Sequence, residues 1–581
     1  MPLPEFSGTL GLKRAAHLLR RATFGATKQQ IDVFAALTPA QAITALFRQA
    51  LPDPILPIDP ETSQEWVLSG VTDANSDGGD LEEYIKAWLV GQMMSSGVPP
   101  ALSLAYSARE KVIMFLHTHF TTITSKVGNS RSLYFQNQLF RLFALDALNP
   151  DLLINFKQLT VKISVDNAML RLLDGNLNVK GSVNENYGRE LLELYSLGRG
   201  LEGTLPPAAG PGDYVLFTEQ DVQAAARVLS GWDIDDTFST LDPDTNLPRG
   251  TVRGSLTNAS AHDNEPKEFS ARFGNSVIQA DPLLLNGSNP TEASALDEIQ
   301  QLIDLIYAKP ETAKNICWKI YRFFVYAPHT PAENLAIDGA IITEMINTFE
   351  SNNYKLQPVI ENLLRSQHFY EAGAGTVTDD NFGGIIKSPL DLVVQTLRFF
   401  EVPLPDMTTA PTEYYEATGE LISTVYNQAM SFYEPYDVAG YEAYHQFPIY
   451  HRFWITPNTL ANRYNFIRSV FTATEPGMFK VNVLQWVQNN IPNAVAADAR
   501  LLVIMLSNYL LPVTDNLTYD DAADDVSGLT AKRITYFKER FLQTFDEAYW
   551  TTRWNEGAGD LGDQLEFLFN AIMQSPEYQL A

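Results

Sequence analysis

Two short signatures near the start of the chain, Thr27-Lys28-Gln29-Gln30 and Thr38-Pro39-Ala40-Gln41, each place a capping hydroxyl three residues before a glutamine. In that arrangement the two side chains satisfy each other's free backbone N–H groups, so each signature opens a helix, the second with proline at its first position. Apolar residues then recur at helical spacing along most of the chain, whereas strand-like alternation is scarce. This periodicity predicts helices at about 81–94, 103–120, 132–145, 159–173, 185–197, 218–229, 293–308, 312–324, 332–349 and 356–365. Further helices are predicted at about 388–400, 457–471, 494–510, 531–545 and 561–573. The expected fold class is therefore mainly α, a multi-helix globular fold with long irregular loops and at most small β-hairpins. Residues 233–289 are too long for a plain connection, which marks them as a functional loop or a place for a hairpin. A glycine-rich stretch near 372–384 suggests two helical lobes, 1–380 with the polar site and 381–581, with one continuous domain as the alternative.

The 581 residues are 45% hydrophobic and 19% charged, which is ordinary for a soluble globular protein. Lys and Arg number 41 against 69 Asp and Glu, a net charge of -28 that disfavours nucleic acid and anionic membrane surfaces as partners. The single cysteine, Cys317, leaves no internal disulfide and no cysteine-rich metal site. No signal peptide is visible before Lys13, so a cytoplasmic location is expected, or export if the N-terminus was trimmed. No run is apolar enough for membrane insertion; 87–108, the longest uncharged by this reading, is broken by Gln92, Pro99 and Pro100.

Within 184–198, Tyr187, Glu190, Leu191, Leu194 and Leu197 share one helical stripe, and Glu185, Arg189 and Glu193 form an i, i+4 ladder beside it. A carboxylate on a core-facing stripe must be paired, metal-bound or protonated, which singles out Glu190.

Several segments, taken in order, resemble the bacterial family known as domain of unknown function 1800. They are Ala15 to Gly25, Arg109-Glu110-Lys111 through His117-Thr118-His119-Phe120, the 184–198 helix, Glu219 to Trp232, and His262-Asp263-Asn264-Glu265-Pro266-Lys267. Lys387 to Val394, Glu434-Pro435-Tyr436-Asp437-Val438-Ala439-Gly440-Tyr441 and Ser575-Pro576-Glu577-Tyr578-Gln579 complete the resemblance, which runs from near Gly11 to the end. The resemblance implies a predominantly helical fold and carries no agreed activity. Tyr441 stands where other members show tryptophan after the Asp-Val-Ala-Gly motif, and an aromatic insertion follows through Trp454. Those interleaved aromatics suit a core, or a groove for carbohydrate or peptide.

The residues with chemistry are His117 and His119, Glu190 and Glu193, and the His262-Asp263 pair with Lys267. Imidazole suits several divalent transition metals. On a regular helix His117 and His119 point about 200° apart, so one ion takes both only where the helix ends and the segment extends. Two readings fit. In the first, a metal-assisted hydrolase or oxidoreductase, His117 or His119, Glu190, Glu193 and His262 are ligands, and Asp263 as base or ligand support, Arg189 orienting the carboxylates and Lys267 are the catalytic residues. In the second, a non-catalytic binding or surface-assembly protein, the same residues form a salt-bridge network, with Arg20, Arg21 and Arg189 as counter-charges and a small molecule, peptide or carbohydrate as ligand. A separate oxygen-ligand loop, Asp73, Asn75, Asp77 and Asp80, opens like a calcium site, but Tyr84 occupies the closing position where a glutamate belongs. The competing account is a turn with Asp80 as helix cap. Gly198-Arg199-Gly200-Leu201-Glu202-Gly203 has dinucleotide-loop spacing but follows a helix, so Gly198 reads as a helix stop.

Overall fold

The computed structural model describes residues 3–68, 79–151, 153–372, 381–523 and 528–581. Helices dominate them, and the strands present are three antiparallel two-residue pairs. Both N-terminal signatures form reciprocal capping boxes, at Thr27 with Gln30 and at Thr38 with Gln41, opening Lys28–Ala35 and Pro39–Phe47. Two of the strand pairs lie in the long central loop, Trp232–Asp233 with Thr251–Val252 and Lys267–Glu268 with Val277–Ile278.

The helix Ser103–His119 runs through the interior and is buried on nearly all sides. Such a helix is expected to be apolar all round. Its three consecutive charges depart from that rule, and two of them are paired: Glu110 with Arg141 of Ser130–Ala144, and Lys111 with Asp391 of Pro389–Phe399. One apolar cluster extends from Leu3 to Tyr578. The stretch proposed as a lobe boundary falls largely on residues 373–380, outside the described part. Cys317 is buried and unpaired. Among the described residues, no helix is long and apolar enough to cross a membrane.

The observed elements depart from the sequence pattern in a few places. The 159–173 prediction is two helices, Phe156–Ile163 and Asn167–Leu172, because Asp166 turns the chain and caps the second by accepting the Met169 N–H at 3.0 Å. The 332–349 prediction is interrupted by a π-helical turn at Asp338–Ile342. Pro411–Tyr426, where the periodicity predicts no helix, is a helix whose buried face uses Tyr414, Tyr415, Ala417, Thr418, Leu421 and Val425. It packs on Gly79–Met93, where a Cβ on Gly91 would stand 1.7 Å from the Tyr414 hydroxyl.

Candidate functional site

The helix Asn186–Glu193 lies against Glu219–Val228, and the close approach depends on Gly188: a Cβ there would stand 2.8 Å from the Ala226 nitrogen. Glycine at this point sets where the carboxylates on the helix can reach. Glu190 is half-buried, and its carboxyl is pushed up to about 7 by burial first and then by the neighbouring Glu193 charge, with Asp437 adding to it. Arg199 and Arg189 act the other way. Glu193 itself pairs with the exposed Arg199.

Arg189 turns away from Glu190. Its guanidinium donates to both oxygens of Glu219, at 2.7 and 3.2 Å, and more weakly to Glu185 at 3.4 Å. The expected i, i+4 pair is therefore the minor contact. A bidentate partner on the adjacent helix offers parallel N–H···O bonds that a helical ladder cannot match.

His117 and His119 both lie inside the regular helix, so their rings leave it on different sides. His117 stacks on Tyr433, with ring centroids 3.7 Å apart, and neither of its nitrogens has a hydrogen-bond partner. Burial holds its imidazole down to about 3, so it is neutral at ordinary pH. His119 Nε2 lies 3.0 Å from the Tyr195 carbonyl, which can only accept, so Nε2 carries the proton. Burial, and then the nearby Lys319 charge, hold its basicity well below the ordinary histidine range.

These contacts bring together segments far apart in sequence. The Thr124 N–H donates to the Tyr433 carbonyl at 3.0 Å, and Ser125 bonds Glu434. A Cβ on Gly440, whose φ is +92°, would stand 2.6 Å from the Thr121 hydroxyl. The Glu434–Gly440 turn is thus seated on the end of the central helix, with Asp437 acting on Glu190. Lys319 donates to the Leu194 carbonyl at 2.7 Å, and burial pulls its ammonium down to about 7. Burial also lowers the basicity of His445, while Asp437 raises it. Asp437 is therefore a neighbour of the Glu190 carboxylate that the sequence pattern does not group with it, and Lys319 and His445 lie near each other beside Leu194 and Asp437. The Glu434–Gly440 motif was the available signal for Asp437; Lys319 and His445 carried none.

His262, Asp263 and Lys267 form a separate centre. Gly231, at φ +84°, passes so close that a Cβ would stand 2.4 Å from the His262 nitrogen. His262 Nδ1 donates to the Ser230 carbonyl at 2.8 Å, and Nε2 lies 3.1 Å from Glu298 Oε2, the same oxygen that pairs with Lys267. All three side chains are fully buried. Asp263 instead pairs with Arg227 at 2.7 Å and accepts the Glu265 N–H at 3.0 Å. Arg20 and Arg21 bond the carbonyls of Tyr509 and Asn381, away from both centres.

The residues expected as one ligand set are consequently distributed: His117 against Tyr433, His119 against Tyr195, Glu190 and Glu193 beside Asp437, and His262 with Lys267 against Glu298. Among the described residues, no three His, Cys, Asp or Glu side chains come together so as to hold a metal ion. The physical reason at the histidines is helix continuity through His119. At the loop it is Glu298, an acid on Glu292–Tyr307 that claims both His262 and Lys267. Asp73, Asn75 and Asp77 lie outside the described residues, while Asp80 is exposed in the first turn of Gly79–Met93. Of the aromatics from Phe432 to Trp454, Phe432, Tyr433, Tyr441, Tyr450 and Trp454 are buried, Tyr444, Phe447 and Phe453 half-buried and Tyr436 exposed.

A family model described as a protein of unknown function matches residues 17–580 of the chain. No curated protein and no solved structure matches it.

Proposed function

The chain belongs to the DUF1800 family of proteins of unknown function, and from that premise we propose that it is a non-catalytic binding protein whose His, Glu and Asp side chains lock the helices together. One observation carries this reading: His262 and Lys267 both bond Oε2 of Glu298 with all three side chains fully buried, Oε1 alone being left without a partner, so none of them is open to solvent. A buried acid that bonds two bases from a loop ties that loop to the helical body. The ligand classes in keeping with the composition are a small molecule, a peptide or a carbohydrate. The test is thermal unfolding of protein purified without affinity metal, with and without a chelator and with added zinc. The binding reading expects the same melting temperature in all three; a chelator-induced loss that zinc restores would overturn it.

A second reading, a metal-assisted hydrolase or oxidoreductase at Glu190 and Glu193, is favoured by one specific observation. Glu190 and Lys319 are each brought to about 7, a range suited to acid–base work near neutral pH, and Lys319 donates to the Leu194 carbonyl one helical turn beyond Glu190. In this reading Glu190 and Glu193 supply the carboxylates, with Asp437 beside them and His445 near Asp437. It requires a turnover that disappears in Glu190→Gln and Lys319→Met, while both variants keep the wild-type helical signal.

A further inference from the structure

A cavity of about 560 Å³ lies away from both centres, between the helices Ser103–His119 and Ser130–Ala144, the chain following Pro39–Phe47, and the long central loop. One side of it is a leucine wall that includes Leu51, Leu142, Leu145 and Leu247, and Arg109, Arg141 and Gln138 border it among its polar residues.

Two arginines, Arg109 and Arg141, share the Glu110 carboxylate, with the exposed Asp53 also on the cavity wall. Glu110 is engaged by Arg141 at both oxygens, the second at 3.1 Å, which neutralises one guanidinium. Arg109 approaches the same carboxylate no closer than 3.6 Å. Its side chain is only 8% exposed, it lies over the Tyr106 ring at 4.4 Å, and it donates to the Pro52 carbonyl at 3.2 Å. A guanidinium has five N–H donors, so the Pro52 carbonyl and the Tyr106 hydroxyl leave it short of partners. Arg109 Nε, Arg141 Nε and Gln138 Nε2 are all buried without a hydrogen-bond partner. Taking such a charge out of water is costly unless an anion meets it. Burial, and then the charge of Arg141, weaken Arg109's hold on its proton, in keeping with that shortage of partners.

We propose that this cavity binds a small amphipathic monocarboxylate, with Arg109 and Gln138 receiving the carboxylate and the leucine wall receiving an apolar body. Guanidinium and carboxylate match in two parallel bonds, and the volume lies within the range of small-molecule sites. Arg109, which meets Glu110 only at 3.6 Å and leaves Nε without a hydrogen bond, suits one negative group. Asp53 also borders the cavity, so a polyanion would meet repulsion there.

The inference names a ligand class for the binding-protein reading and rests on it, but its test is separate from the chelator experiment. The full chain is titrated calorimetrically with octanoate and with octanamide, its neutral counterpart, at pH 7. Saturable one-to-one binding of octanoate is expected, at least tenfold tighter than that of octanamide. Arg109→Gln should bring octanoate down to the octanamide level. Thr245→Trp, which narrows the cavity from the loop and leaves Arg109 in place, should weaken both ligands at least tenfold and serves if Arg109→Gln does not fold. Equal affinity for the two ligands, no saturable octanoate binding up to millimolar concentration, or octanoate binding unchanged in Thr245→Trp would overturn the proposal. Displacement of octanoate by sulfate at equal concentration would do so too, since it would reveal a bare anion site. A failure here with a chelator-insensitive melting temperature would overturn the ligand class and leave the binding reading standing.

Discussion

The His117 ring lies face to face with Tyr433, with centroids 3.7 Å apart and planes 13° from parallel, inside a pocket that leaves both imidazole nitrogens without partners. The contact is one of shape and stacking, so the imidazole serves here as a flat apolar plate.

A pH dependence follows from that burial. The imidazole titrates at about 3 in the folded chain against an ordinary 6.5, so the unfolded chain binds more protons between these values. The contribution is intact above 6.5 and is lost as pH falls towards 3. His117→Phe keeps the plate and removes the proton site, and should cost under about 1.5 kcal/mol at pH 7. Between pH 7 and pH 4 the variant should lose less stability than wild type, by about 3 kcal/mol. Urea titrations at the two pH values measure the difference, and parallel losses would show that His117 titrates normally.

Glu190 works in the opposite direction. Its carboxyl titrates at about 7 when folded and near 4.5 when unfolded, so the folded chain holds the extra proton between those values. Stability is therefore lost as pH rises from 4.5 through 7. Glu190→Gln should melt higher than wild type at pH 8, with the gap closing below pH 4.5. An equal gap at both ends would mean that the substitution acts through packing.

Arg189→Ala should cost only about 1 kcal/mol, since the guanidinium and both of its carboxylate partners are partly open to solvent. A loss of about 3 kcal/mol or more in chemical denaturation would instead place the pair in a dry environment.

Much of the helical framework was legible because capping chemistry and apolar periodicity agree: 356–365, 457–471 and 561–573 coincide with observed helices to the residue. Pro411–Tyr426 escaped because its buried face relies on tyrosine and threonine around Gly419, types with weak intrinsic helix preference. Glu547–Glu556 escaped because Trp550 and Trp554 alone form its buried stripe. The polar residues were recognised by type and not by grouping. His119 does approach the Glu190 helix, through Tyr195, but Glu298 looked like one more charge on an amphipathic helix, and its role arises only when the 262–267 loop folds over it. Arg189 likewise has its main partner thirty residues on, at Glu219, beyond the reach of helical spacing.

The central claim is that buried polar contacts fasten the central loop to the helices, and a double-mutant cycle between Lys267 and Glu298 tests it most directly. Each single change, Lys267→Met or Glu298→Gln, should cost about 3–5 kcal/mol, because it leaves its partner buried and uncompensated. The double variant should be markedly less destabilised than the sum of the two, with a coupling energy of roughly 2–3 kcal/mol in urea denaturation. Additive losses with no coupling would contradict the account, since the two side chains would then not be fastening the loop through each other.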